Sequence, residues 1–163
     1  MSIENNRDQL IESIQSILDK HKDKNLTIIG YSAGGVIVIL AMDQLADGPL
    51  AKRIQFNTIA APLFGYRSPS ISWLGSPFVG KTTIQLGIGN YDKLVHKQMP
   101  QCNHWVTTRC EMDQHSCEND GLSPQVGLHG LPSSLPCGED HIYRVDNECH
   151  ASVLNYAFNK IIK

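Results

Sequence analysis

Gly30-Tyr31-Ser32-Ala33-Gly34-Gly35 is the stretch of this chain best suited to chemistry, because it sets one serine among four small residues. A nucleophilic serine must stand on a tight, strained bend so that its hydroxyl clears the backbone and faces a substrate. Gly30 and Gly34 carry no Cβ, which lets a strand and a helix approach closely around Ser32. The N–H of Ala33, at the start of that helix, then faces an oxyanion developing on the substrate. Two other patterns are weaker. Gly75-Ser76-Pro77-Phe78-Val79-Gly80-Lys81-Thr82 matches a phosphate-binding loop letter for letter, but such a loop must join a buried strand to a helix. Ser70-Ile71-Ser72-Trp73 is a poor buried strand, and Gly87 and Gly89 break a helix early, so the match reads as coincidence. His104, Cys110, His115 and Cys117 contain no C-x-x-C pair and fit no common zinc spacing, so no metal is expected.

The elements that must position Ser32 are legible on either side of it. Leu26, Ile28 and Ile29 make a short apolar strand over 26–30, entered from the turn Lys22-Asp23-Lys24-Asn25. The segment 33–46 is apolar nearly all round and so predicts a buried helix, stopped by Asp47-Gly48-Pro49. Before the strand, Leu10, Ile11, Ile14, Ile17 and Leu18 stripe one face of an amphipathic helix over 5–22. After the buried helix, residues 53–60 alternate through Ile54 and Phe56 as a second strand. Residues 104–110 and 141–145 supply a third and a fourth, and 151–162 closes the chain as a helix. Strands alternating with helices or long crossovers predict an α/β fold: a small, mainly parallel sheet of about four strands flanked by helices. Residues 62–100 are rich in Gly, Pro and Ser without a sustained period, and read as a loop- or lid-like insertion in a single domain spanning 1–163.

Composition narrows the function classes. With 163 residues and 41% hydrophobic content, the chain can bury a proper core. A formal charge of −2, without a basic run or aromatic–basic interleaving, argues against nucleic acid as a partner. No apolar run approaches the ~18 residues of a membrane span. The first residues, MSIENNRDQLIESIQ, lack the basic-then-apolar plan of a secretory signal, which makes the cytoplasm the default location. Cys102, Cys110, Cys117, Cys137 and Cys149 all follow residue 100. One or two disulfides stapling this loop-rich region and a set of buried free thiols both fit, and the first leaves a secreted or periplasmic origin open.

Taken with its strand–turn–helix setting, GYSAGG resembles the nucleophile turn of the α/β-hydrolase fold, in its lipase and esterase branch. The likeness runs from about residue 5 to the end and is to the C-terminal half of that fold, a truncated or minimal version of it. The resemblance implies a serine carboxylester hydrolase working through an acyl-enzyme on Ser32, without a cofactor. It also implies an acid and then a histidine, each on a loop after a later strand. His150, just past the last strand and at the head of the closing helix, holds the histidine's place; His96, His104, His115, His129 and His141 have no comparable position. Asp113, past the third strand, is the best acid, ahead of Asp120, Glu111 and Glu118, while Asp92 precedes that strand. The acid would hold the imidazole tautomer and stabilise the imidazolium. Tyr31, Leu63, Phe64 and Trp73 are expected to contact the substrate, a small-molecule ester with a short acyl chain, since a chain this small has little room for a deep lipid tunnel.

One departure from the family has consequences. A complete α/β-hydrolase has several strands before the nucleophile, and a loop after one of them gives the second oxyanion donor; here a single helix precedes it. A lost donor costs ~10²–10³ in rate. The loop from Ala61 to Tyr66 or a second chain must replace it, or the chain is a weakly active or inactive remnant serving as a binding domain. The same departure turns the strand 26–30 into a sheet edge, to be covered by the N-terminal helix or paired in a homo-oligomer.

Overall fold

A computed structural model describes residues 3–61, 102–107 and 139–163. Three helices, α1 (Ile3–Lys20), α2 (Ala33–Leu45) and α3 (Ser152–Ile161), pack on a sheet of four strands. The strands are β1 (Leu26–Tyr31), β2 (Ile54–Ile59), β3 (Cys102–Thr107) and β4 (Ile142–Val145). They lie in the order β1-β2-β3-β4, and every pair is parallel. This is the expected α/β architecture, with strand ends shifted by one to three residues. β3 begins two residues earlier than expected, because Cys102 takes a buried place opposite Phe56.

Side-chain alternation sorts the sheet into two faces. Ile54, Phe56, Cys102, Val106 and Ile142 meet Ile14 and Leu18 of α1 and Val38, Ile39 and Met42 of α2 in the larger core. On the opposite face Ile59, Val145 and Trp105 pack with Val153 and Ala157 of α3. Helices on both faces are what parallel connections require. Arg53, just ahead of β2, fixes the far end of α1: its Nη2 donates to the carbonyls of Leu18, His21 and Lys24 at 3.4, 2.7 and 2.8 Å. The His21 carbonyl also accepts from the Lys24 N–H at 3.1 Å, so the guanidinium closes over the end of the helix and the turn after it.

Among the described residues β1 has one strand neighbour, β2, and α1 packs chiefly on α2 instead of along the outer edge of β1. Of the two covers that the sequence offers for the edge of β1, the N-terminal helix has its main contact elsewhere, on α2. Of the two readings of the cysteines, Cys102 and Cys149 take the disulfide-bonded one. The insertion at 62–100 and the phosphate-loop-like segment 75–82 lie outside the described residues, as do Leu63, Phe64, Trp73, Asp113 and its rival acids.

Candidate active site

β1 runs straight into α2 through Ser32, whose backbone stands at φ 52° and ψ −125°. A side chain rarely adopts this region, and holding it there costs ~1–3 kcal/mol that the surrounding packing must offset. The packing is tight for a visible reason. A Cβ on Gly30 would sit 2.6 Å from the Gly34 carbonyl oxygen and 2.7 Å from Val38 Cγ2. The second crowded glycine is Gly35, where a Cβ would meet Ala61 Cβ at 2.4 Å. Gly34, expected to share this role, faces away: a Cβ there meets nothing within 4 Å among the described residues. Successive helical positions point about 100° apart, so only one of two adjacent glycines can turn toward the strands.

Serine at a helix N-cap ordinarily turns its oxygen back onto the first amides. Ser32 makes no such bond. Its Oγ instead lies 3.0 Å from Nε2 of His150. The two come from opposite sides of the sheet, since Ser32 ends β1 and His150 follows β4. Three strand spacings, about 14 Å, separate those strands. The segment 146–150 and the side chains of Ser32 and His150 together close the distance, the chain turning through Asn147 at φ 58°, a conformation that asparagine tolerates better than most residues. It enters α3 with the Cys149 N–H donating to Ser152 Oγ at 2.9 Å. His150 is buried, with 9% of its surface exposed.

Tyr31, the residue before the serine, reaches the same histidine twice. Its hydroxyl donates to the His150 carbonyl oxygen at 2.7 Å, and the two rings lie 5.0 Å apart at 40°. The Ser32 N–H is used by the Ile59 carbonyl at 2.9 Å. Ala33 opens α2, and the N–H of a first helical residue has no acceptor within its own helix. Ala61, two residues past β2, packs against Gly35 beside this turn. Open α/β sheets bind ligands at the carboxyl ends of their strands, and Ser32, His150 and Ala33 all gather there.

Deeper in the sheet lies a second imidazole–hydroxyl pair that sequence reasoning did not find. His104 Nδ1 is 2.9 Å from Thr58 Oγ1, and His104 Nε2 is 3.3 Å from Cys102 Sγ. A disulfide sulfur has no proton, so Nε2 donates to it and Nδ1 accepts from the threonine hydroxyl. His104 is fully buried; desolvation, with the nearby His141 adding to it, lowers its pKa from 6.5 to about 4. The signal was present: Thr58 and His104 occupy inward positions of strands that are otherwise apolar there.

A family model for lipase (class 3) matches residues 1–86, just over half of the chain, and spans α1, β1, the Ser32 turn, α2 and β2. The chain belongs to the class 3 lipase family. That places it among lipase- and esterase-type hydrolases of the α/β-hydrolase fold, and accounts for the parallel sheet with its helices. No curated protein matches the chain. Among the described residues no cluster of His, Cys, Asp and Glu has the makings of a metal site, and no helix is long and apolar enough to cross a membrane.

Proposed function

We propose that this class 3 lipase family member is a serine carboxylester hydrolase that acts through an acyl-enzyme on Ser32 and favours short acyl chains. The observation that carries the proposal is the 3.0 Å approach of His150 Nε2 to Ser32 Oγ on a strained turn. Nε2 takes the hydroxyl proton as Oγ attacks the ester carbonyl, and the tetrahedral oxygen turns toward the Ala33 N–H. Collapse expels the alcohol, which takes the proton back from Nε2. Water, deprotonated by the same nitrogen, then releases the acid and restores the serine. Asp113 is the carboxylate assigned to orient the imidazole. The segment from Ala61 to Tyr66 is assigned the second oxyanion donor: Ala61 already lies against the start of α2, and the Ser32 N–H is engaged elsewhere.

The test is labelling by a fluorophosphonate together with hydrolysis of p-nitrophenyl acetate, butyrate and palmitate. The wild type labels at Ser32 and turns over the two short esters faster than the palmitate. Ser32→Ala loses labelling and at least about 10,000-fold of the activity while its melting curve holds. A wild type that neither labels nor hydrolyses would leave the fold as a binding domain.

A further inference from the structure

We propose that Tyr31 is a positioning residue that holds His150 in line with Ser32; this deepens the hydrolase reading above and rests on it. The base arrives at the end of a segment that leaves a strand about 14 Å from the one carrying the serine, an arrangement in need of a tether. Tyr31 supplies one at two points, its hydroxyl on the His150 carbonyl oxygen at 2.7 Å and its ring against the imidazole at 5.0 Å. Its own placement is firm. It sits in register opposite Ile59 on β2 and packs with the α3-side core of Val145, Val153 and Ala157. The nucleophile is the next residue along, so one side chain ties the base to the strand that carries the serine. Any shift of β1 carries Oγ and Nε2 together. A catalytic group must stay within ~0.5 Å and 10–20° of its working geometry, and ~1 Å of misplacement costs about 10²-fold in rate. A hydroxyl committed to a main-chain carbonyl is also a different use of Tyr31 from the substrate contact that the sequence suggested.

Two variants separate these uses. Tyr31→Phe keeps the ring and removes the donor; Tyr31→Leu removes both. On p-nitrophenyl butyrate, Tyr31→Phe lowers kcat about five- to tenfold, the size of one hydrogen bond, with KM unchanged. Tyr31→Leu lowers kcat about 100-fold. Labelling of Ser32 slows by the same factors with a small phosphonofluoridate that carries no acyl chain, because the defect lies in the base. A raised KM with kcat intact, or small-probe labelling at the wild-type rate, overturns the proposal and returns Tyr31 to the substrate. The melting temperature of Tyr31→Phe shows that it is folded, and Phe alone decides the matter if Leu is not. Failure of the wild type to label would sink the hydrolase reading itself, a result distinct from a labelled wild type that is indifferent to Tyr31→Phe.

Discussion

Two histidines of this small fold each face a hydroxyl at hydrogen-bond distance, and the proposed mechanism gives only one of them a part in catalysis. His104 meets Thr58 at 2.9 Å in the middle of the sheet; His150 meets Ser32 at 3.0 Å at its carboxyl end. The first pair joins neighbouring strands in register, Thr58 opposite His104, on regular extended backbone. The second joins elements from opposite sides of the sheet across a turn. Ser32, Ala60 and Asn147, the described non-glycine residues with positive φ, all lie just past strand ends, and none lies within the sheet. The tautomers differ as well. His104 accepts at Nδ1 and donates at Nε2, whereas a base for Ser32 must accept at Nε2 and carry its proton on Nδ1. An imidazole and a hydroxyl side by side are thus not a catalytic unit. The unit also needs a strained turn, an adjoining helix N-terminus and room at a strand end.

The contrast breaks most sharply if the wrong pair proves to matter. His150→Ala is expected to cost about 10,000-fold in kcat/KM on p-nitrophenyl butyrate, with a urea midpoint close to wild type. An activity within tenfold of wild type would remove His150 from the mechanism. The pH dependence of stability comes next in size. Above pH 6.5 His104 is neutral in both folded and unfolded chains, and its burial carries no proton-linked cost. As pH falls from 6.5 toward about 4, the unfolded chain takes up a proton that the folded one refuses, and stability drops by on the order of 3 kcal/mol. Urea melts at pH 7 and pH 4.5 measure this loss, and His104→Gln removes His104's share of it. Thr58→Val is the smallest test and completes the exchange. It leaves Nδ1 of a buried histidine without its donor, costing about 1–3 kcal/mol of stability, while kcat stays within about twofold. A Thr58→Val protein that is stable but slow would mean that the two pairs communicate.

How much of this was legible beforehand depended on range. The stripe Ile11, Ile14 and Leu18, the alternation through Ile54 and Phe56 and the nearly all-apolar α2 announce their elements, because burial imposes a period of 3.6 or 2 on neighbouring residues. The Ser32 turn was legible for the same reason, as strand, turn and helix are contiguous. Which glycine is crowded was half legible. Gly30 is hemmed in by α2, the helix that follows it directly in sequence, but the pressure on Gly35 comes from Ala61, a residue brought near only by β2. The tether from Tyr31 to His150 spans 119 positions, and no local pattern encodes it. Thr58 and His104 left a fainter mark, polar residues at inward strand positions, whose meaning appears only when β2 and β3 lie side by side.

The crossing from β4 back to Ser32 also bears on how the protein comes into being. Ser32 and His150 are 118 positions apart, so their meeting closes one of the longest loops in the chain. The segment from α1 to β2 can assemble from nearby contacts, whereas that closure is slow and rewarded only when all four strands stand in order. During refolding, helical signal should therefore return before the first turnover. On the proposed mechanism hydrolysis is a late event of this topology, because it waits on the arrival of the histidine.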